Sequence, residues 1–551
     1  MSPPTVRSFA TRTAVAWRDP LRAAAVVGLV ILAYNYSLST LVRGMTLQTP
    51  LAYLALVPVI ALLLALARIR LGEPETPIHD RQLDWIVGLG FLGATGAILV
   101  LAPQPSDSGF WLRRVDLLTL PLFVAGLTSI FFGVRRLWSI RYAVLFLLLA
   151  WPIPFAWLLG LTAGWFTDLT AGAVGTITTV VPVARPAVGD GSLFLIGSGD
   201  NFFGVSIGSA CSGVNSFVGF LLLGIGSLAV LRGSAIRRAS WLAVGLAVTI
   251  GLNVARIMAI LVVGHFWGQE AAINILHPVA GLVVFNIGVL IMLALAPRFG
   301  LRLASPVRAA GAEPERTRTS PSIALRPAMA VTLVIAAVLG LTNAAFARYE
   351  AISSGLTDAR LAKVDIAVAH VPGWDASVVG ELTQARQYFG SDATWERAAY
   401  RPTDSASIVA DRTVYVDVLT TSDSGTFAAY GLEACYAFHG YEISSVAEVD
   451  IGAGVNAQVI DYTNTRNDIA WSALWWEWPF TTEDGATRYQ RIVVFMADGP
   501  DSNFDGLSAF DIATQDARYL ETDQFLASLG QEIVASQLAS VARSDSPATT
   551  D

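Results

Sequence analysis

Along the first 346 residues the apolar positions run in blocks instead of alternating with polar ones. The blocks lie near 22–42, 50–67, 84–102, 115–133, 141–160, 213–231, 240–264, 278–297 and 328–346. A bilayer core about 30 Å thick needs roughly 20 mainly apolar residues per helix, so each block can cross it. The pattern predicts about nine transmembrane helices. Beyond 346 it changes to short strand-like runs, "RTVYVDVLTT" (412–421), "AQVIDYTN" (457–464) and "RYQRIVVFMA" (488–497), and a helical one, "QFLASLGQEIVASQLASVAR" (524–543). The fold class expected is a polytopic α-helical membrane protein followed by a soluble α/β (α+β) extracytoplasmic domain. Its parts are a multi-pass membrane domain over 1–300, a linker over 301–327, a last span over 328–346 and an acidic domain over 347–551.

Composition agrees with this division. The 551 residues are 54% hydrophobic and only 14% charged, which is not a soluble composition. The net charge of −7 hides an asymmetry: residues 1–346 carry 24 Lys/Arg against 13 Asp/Glu, and residues 347–551 carry 12 against 30. The basic residues fall in every second connection, at Arg68, Arg70 and Arg81, at Arg135, Arg136 and Arg141, at Arg232, Arg237 and Arg238, and across 298–326. By the excess of Lys/Arg in short cytoplasmic loops, the N-terminus lies inside and the acidic domain outside. Arg43 and the pair Arg113–Arg114 weaken the contrast. The basic N-terminus ahead of the first apolar block reads as a retained span, not a cleaved leader. The localisation expected is a bacterial cytoplasmic (inner) membrane.

This topology places 161–210 and 265–277 as outer connections. The first part of 161–210 reads as an interfacial amphipathic helix, and "GDGSLFLIGSGDNFFGVSIG" (189–208) as a glycine-punctuated hairpin that would cover Cys211.

Three residues then share the outer halves of consecutive spans. Arg256, in "NVARI", sits about 12 Å below the end of its span by helical rise, where an intramembrane cation needs a partner or a polar cavity. His277 begins the next span, in "HPVAG", and His265, closing the previous one, competes with it. Cys211, in "GSACSGVNSF", stands at a small polar helix start, where the dipole and nearby cations favour a thiolate. Taken singly, each has a bland reading: a snorkelling Arg, an interfacial His, a Cys packed as a small hydrophobe. Together they are the parts of acyl transfer through a thioester, with Cys211 as nucleophile, His277 as base and Arg256 as the cation for an oxyanion or a substrate carboxylate.

"ACSGVNSF" (210–217), "NVARI" (253–257) and "HPVAG" (277–281), with the Pro-rich "LLLAWPIPFAWLLG" (147–160) upstream, resemble the exosortase/archaeosortase family of multi-pass membrane proteins. The resemblance implies a cysteine protease or transpeptidase that recognises exported proteins by a C-terminal sorting signal: a short motif such as the PEP type, an apolar helix and a basic tail. Cleavage on the outer face and transfer to an acceptor, linked to exopolysaccharide and biofilm display, would follow. Members often have an Arg where this chain has Asn215, which makes Asn215 a candidate substrate-binding residue.

In the acidic domain, "GLEACYAFHGYEI" (431–443) resembles the cysteine region of the exosortase-associated domain of exopolysaccharide operons, and Cys435 with His439 is a secondary candidate site. "SALWWEWPF" (472–480) reads as core or as an interfacial aromatic patch. Both cysteines are expected reduced. No phosphate-binding loop, metal-ligand set, serine-hydrolase elbow or nucleic-acid stripe is present, so no cofactor, metal or nucleic acid is expected. The partners expected are tailed exported proteins, membrane lipid and an exopolysaccharide or lipid-linked acceptor. Two competitors stand beside the enzyme reading: a non-catalytic component of exopolysaccharide export or assembly, and a transporter. The near isolation of Arg256 as an intramembrane charge counts against a transporter.

Overall fold

The computed structural model describes residues 7–46, 52–71, 81–101, 114–187, 190–197, 202–207, 213–228, 230–303, 325–351, 371–382, 385–403, 413–422, 426–427, 431–438, 441–464, 469–482, 485–497 and 522–537. The linker 304–324, Cys211 and His439 lie outside the described residues.

The membrane region runs α1 (Arg7–Ala33), α2 (Asn35–Thr46), a 3-10 turn (Ala52–Ala55), α3 (Leu56–Leu71), α4 (Arg81–Leu101), α5 (Val115–Phe132), α6 (Val134–Ser139), α7 (Arg141–Phe146) and α8 (Ile153–Val180). A three-stranded antiparallel sheet follows, β1 (Arg185–Ala187), β2 (Asp190–Ile196) and β3 (Phe203–Ser206). Then come α9 (Val214–Leu228), β4 (Leu231–Arg232), α10 (Ala235–Gln269), a π-helical turn (Glu270–Leu276), α11 (His277–Leu295), β5 (Arg302–Leu303) and α12 (Leu325–Ala351).

Among the described residues six helical segments are long and apolar enough to cross a membrane: Ala52–Ile69, Arg81–Leu101, Val115–Phe132, Ala235–Ile273, Val279–Phe299 and Arg326–Asn343. A seventh is reached if the pair Pro20–Ala33 and Asn35–Met45, bent by 85°, counts as one span. The chain is a multi-pass membrane protein, and the expectation of nine simple spans changes in three places. The block 22–42 breaks at Tyr34, because polar groups gather there: Tyr34 Oη is 2.6 Å from Thr119 Oγ1, and Asn343 Nδ2 donates to Ser37 Oγ at 3.0 Å. The block 141–160 is interrupted at Trp151–Pro152, after which α8 runs 28 residues without the expected stop near 160. The block 213–231 yields the 15-residue α9, short of the usual spanning length.

Arg114 and Asp116 form a pair, and Asp84 acts as a cap. Arg114 donates to both carboxylate oxygens of Asp116, at 3.1 and 3.2 Å, both side chains being buried. Its charge is therefore neutralised in place, which removes part of the contradiction it posed to the loop-charge rule. Asp84 accepts the Val134 N–H at 2.8 Å and caps α6.

The C-terminal region is sheet-rich. It comprises β6 (Trp374–Glu381), α13 (Ala385–Phe389), β7 (Thr394–Pro402), β8 (Val414–Thr421), α14 (Leu432–Phe438), β9 (Tyr441–Asp450), β10 (Asn456–Asn464), β11 (Ala470–Thr481), β12 (Thr487–Ala497) and a helix α15 over 522–537. Seven strands pair antiparallel in the order β6-β7-β8-β12-β11-β10-β9. The "SALWWEWPF" patch is the interior strand β11, between β12 and β10, and its alternation serves both faces. Trp476 and Trp478 pack with Leu526, Leu529 and Ile533 of α15, while Trp475 packs on the other face with Phe389 and Phe427. This sheet touches the membrane region where α14 packs against α8 and where Glu477 comes within electrostatic range of Tyr36.

Candidate active site

Three consecutive helices meet through missing side chains. Gly213, at the start of α9, has φ +90°, and a Cβ there would stand 2.7 Å from Asn253 Cγ of α10. Glycine is required twice over, by the left-handed backbone and by the close approach. Gly245 of α10 is filled by Phe220 and Met292, and Gly288 of α11 by Leu252, so the same helices stay close along their length. Trp241 closes the far end by donating its Nε1–H to the Met292 carbonyl at 3.0 Å.

On this frame Asn253 and Arg256, one turn apart on α10, serve different neighbours. Asn253, 2% exposed, is held against Gly213. The Arg256 guanidinium lies over Gly281, with Cζ and Nη2 each 3.6 Å from where a Cβ would be. Its Nε is buried without a hydrogen-bond partner, and among the described residues it forms no ion pair. A half-buried cation with its Nε unsatisfied is favoured by an anionic group beside it.

The connection from α10 to α11 is not the loop expected over 265–277. Gly268 (φ +82°) breaks α10, and the π turn folds back so that Ala272 faces Gly264. Pro278 then starts α11 with a ring-compatible first turn. This return carries His277 down beside Arg256, between the two candidate spans that end at Ile273 and begin at Val279. Burial, and secondarily the charge of Arg256, pushes the imidazole from 6.5 to about 4, so it is neutral near pH 7 and able to accept a proton. His265 is elsewhere: exposed, edge-on to Phe266 at 4.9 Å, on the lateral surface of α10.

A fourth wall, unsuspected from sequence, comes from the 3-10 turn ahead of α3. Tyr53 fits over Gly219 of α9, packs against Phe285 of α11 with ring centroids 4.6 Å apart and tilted by 34°, and lies within electrostatic range of Ser216 and Arg256. Phe285 repeats at i+4 from Gly281 and i+8 from His277, so one face of α11 supplies all three. Beneath them Ser216, Thr249, Leu252 and Phe285 line a cavity of about 10 Å³, water-sized and mostly apolar.

The sheet β1–β3 caps this end of the bundle. Its hairpin registers Leu193 with Ser206 and Ile196 with Phe203, as the glycine spacing suggested. Phe194 and Ile196 are buried against Val174, Ile257 and Leu261. Cys211, and the side chain of Asn215, lie outside the described residues. Cys435, in α14, is half-buried among Tyr436, Tyr441 and Tyr462 of the sheet domain's core. No cluster of His, Cys, Asp and Glu suited to a metal occurs among the described residues.

Residues 48–294 match the family described as transmembrane exosortase, a segment that contains Tyr53, Cys211, Asn253, Arg256, His277 and Phe285. Over that segment the chain is similar to the exosortase family. Exosortases are generally cysteine transpeptidases, and the match supports a transpeptidase-like role at a membrane. No curated protein and no solved structure matches it. The family segment ends before the sheet domain.

Proposed function

We propose that the protein is a membrane-embedded cysteine protease/transpeptidase acting on exported proteins that carry a C-terminal sorting signal, with Cys211, His277 and Arg256 in the roles of nucleophile, base and cation. One observation carries this reading: the neutral imidazole of His277 and the guanidinium of Arg256 share one place, and Gly213 is wedged into the same helix one turn away. Cys211 is two residues from Gly213, so trans peptide geometry tethers its Cα within about 7.6 Å of Gly213 Cα.

The chemistry follows from those groups. His277 takes the thiol proton, and the thiolate adds to the scissile carbonyl while the C=O electron pair moves onto oxygen. Arg256 neutralises that oxyanion, an interaction strong in a water-poor site. Collapse breaks the C–N bond, and the leaving amine takes the proton back from the imidazolium. The thioester then passes its acyl group to water or to an acceptor nucleophile. Lys would be a poor replacement for Arg256, because a planar guanidinium over Gly281 presents its donors in a fixed plane.

The orientation that serves this role has the N-terminus inside and the sheet domain outside, with α8 and α9 completing nine crossings. The substrate's apolar helix would then lie in the bilayer with its short motif at the outer level of the site. The sheet domain, resting on α8 through α14, would present substrate or a glycan-linked acceptor. Asn215 is the residue proposed to tune the motif preference.

Substitution of Cys211 by Ala tests the reading. Processing of tailed exported proteins should stop while the protein still inserts and folds. Processing retained in Cys211→Ala, with glycan export lost instead, would favour a non-catalytic component of exopolysaccharide assembly.

A further inference from the structure

A second cavity, of about 480 Å³, lies chiefly among α1, α3, α5, α6 and α7 and shares no lining residue with the candidate active site. Its walls are rows of side chains one turn apart: Ala23, Val27 and Ile31 on α1, then Pro58, Leu62 and Leu66 on α3. On α5 the row is Leu120, Val124, Thr128 and Phe132, and it continues past the break at Gly133 to Arg136 of α6. Apart from Thr128 the lining is apolar until it ends at that guanidinium. Ile31, Val59 and Leu62 are exposed on the rim, so the cavity opens sideways toward the bilayer. Positive charge gathers at the Arg136 end, where Arg22 adjoins the lining Ala23 and Arg68 adjoins the lining Ile69. Arg136 is half-buried and forms no ion pair among the described residues, and Asp84 nearby is engaged as the α6 cap. Next to it the exposed rings of Trp138 and Tyr142 hold the Arg141 guanidinium at 4.7 and 4.6 Å, an aromatic and basic pairing that marks the headgroup level of a membrane.

The dimensions decide what fits. From Leu120 to Phe132 the α5 row rises about 18 Å, close to one leaflet's share of a hydrocarbon core about 30 Å thick. A volume of about 480 Å³ over that length leaves a mean section of about 27 Å². An α-helix with its side chains is about 10–12 Å across and needs roughly 80–110 Å². The slot is therefore too narrow for a substrate's apolar helix and admits extended hydrocarbon. Its walls lack dispersion partners until such a chain enters. We infer that this cavity is a phospholipid site, in which one acyl chain lies in the slot and an anionic headgroup phosphate meets Arg136. The planar guanidinium pairs its N–H donors with phosphate oxygens, and Arg22 and Arg68 add positive potential. Lipid tails and the slot are equally apolar, so the chain supplies fit and the headgroup supplies selectivity. A headgroup of net negative charge is preferred to a zwitterionic one.

The test uses the full-length protein in nanodiscs of equal phosphatidylglycerol and phosphatidylcholine with matched acyl chains. After release into detergent, native mass spectrometry counts the lipids that stay bound. Wild type should retain one phosphatidylglycerol per chain, favoured about fivefold or more over phosphatidylcholine. Arg136→Gln should lower that preference about fivefold, while Arg135→Gln, which removes an exposed charge one residue away, stays within twofold of wild type. Two plugs of the slot, Val124→Phe and Ala65→Leu, read in whichever variant elutes as folded protein, should reduce retention of both lipids. Equal retention of the two headgroups in wild type, or equal losses from Arg135→Gln and Arg136→Gln, would overturn the headgroup site. Retention unchanged by a folded plug would overturn the acyl slot. Displacement of the lipid by an apolar 20-residue helical peptide with a basic tail would also overturn it and assign the groove to a helix.

Discussion

The guanidinium of Arg256 rests on Gly281, with Cζ and Nη2 3.6 Å from the point where a Cβ would stand. That separation is ordinary van der Waals contact, so the glycine sets the height of the cation without being strictly required by it. Gly281→Ala is expected to keep activity within about threefold of wild type. Gly281→Leu pushes the guanidinium off the face of α11, and a displacement of about 1 Å at a reacting centre costs on the order of 100-fold. Cleavage rates of a tailed protein in membranes from the two variants, set against equal protein levels, check this.

Gly213 answers to a stricter demand. Its φ of +90° disfavours any side chain, and a Cβ would collide with Asn253 at 2.7 Å. Gly213→Ala should destabilise this junction by about 1–2 kcal/mol through the backbone alone, with the collision added. Asn253→Ala relieves the collision and not the backbone strain. The double variant should therefore recover part of the lost activity, and the non-additivity of the two changes measures the contact.

The pH profile follows from His277. A base works only while neutral, and with its pKa lowered from 6.5 to about 4 the imidazole stays neutral down to about pH 4. The acidic limb of kcat/KM that belongs to this residue is expected near pH 4, with a flat profile through pH 6–7. Burial is the larger cause and the Arg256 charge the smaller. Arg256→Gln should move the limb upward by the smaller part only, stopping short of 6.5. A limb at 6.5 in the wild type would mean that His277 is solvated.

In the sheet domain, Arg491 and Glu477 form a buried pair at 2.6 Å, and the guanidinium also donates to the Phe427 carbonyl and lies over Phe427 and Trp475. Glu477→Ala leaves a buried cation short of its counter-charge and should cost about 3–5 kcal/mol, seen as loss of protease-resistant domain. Replacing the two together, Glu477→Leu with Arg491→Met, should cost less than the single change.

The parts of this molecule that sequence made legible are those with short-range signals. Apolar runs marked the spans, glycine spacing marked the β2–β3 hairpin, and alternation marked β8, β10 and β12. Arg256 and His277 stood out because charge and imidazole are costly in an apolar run. What sequence could not supply came from contacts between distant segments. Tyr53 looks like any aromatic at a membrane boundary until the fold lays it on Gly219 and Phe285. The bend at Tyr34 lies where Tyr34 bonds Thr119 and where the Asn343 amide donates to Ser37, partners far along the chain. The H-x-x-x-G pattern of the family resemblance favoured His277 over His265 in sequence, and the π turn beyond Gly268 gives the spatial difference, with His265 exposed and His277 beside Arg256. Strand β11 was hidden by its tryptophans, which fill both faces of an interior strand, so no apolar–polar alternation shows.

The central claim is that Cys211 carries an acyl group during turnover. Incubating the full-length protein with a tailed exported protein, quenching with acid and mapping thioesters by mass spectrometry tests it most directly. The expected result is an adduct on the Cys211 peptide in wild type, absent in Cys211→Ala and accumulating when the acceptor is withheld. An adduct confined to Cys435, or cleavage that proceeds unchanged in Cys211→Ala, would contradict it.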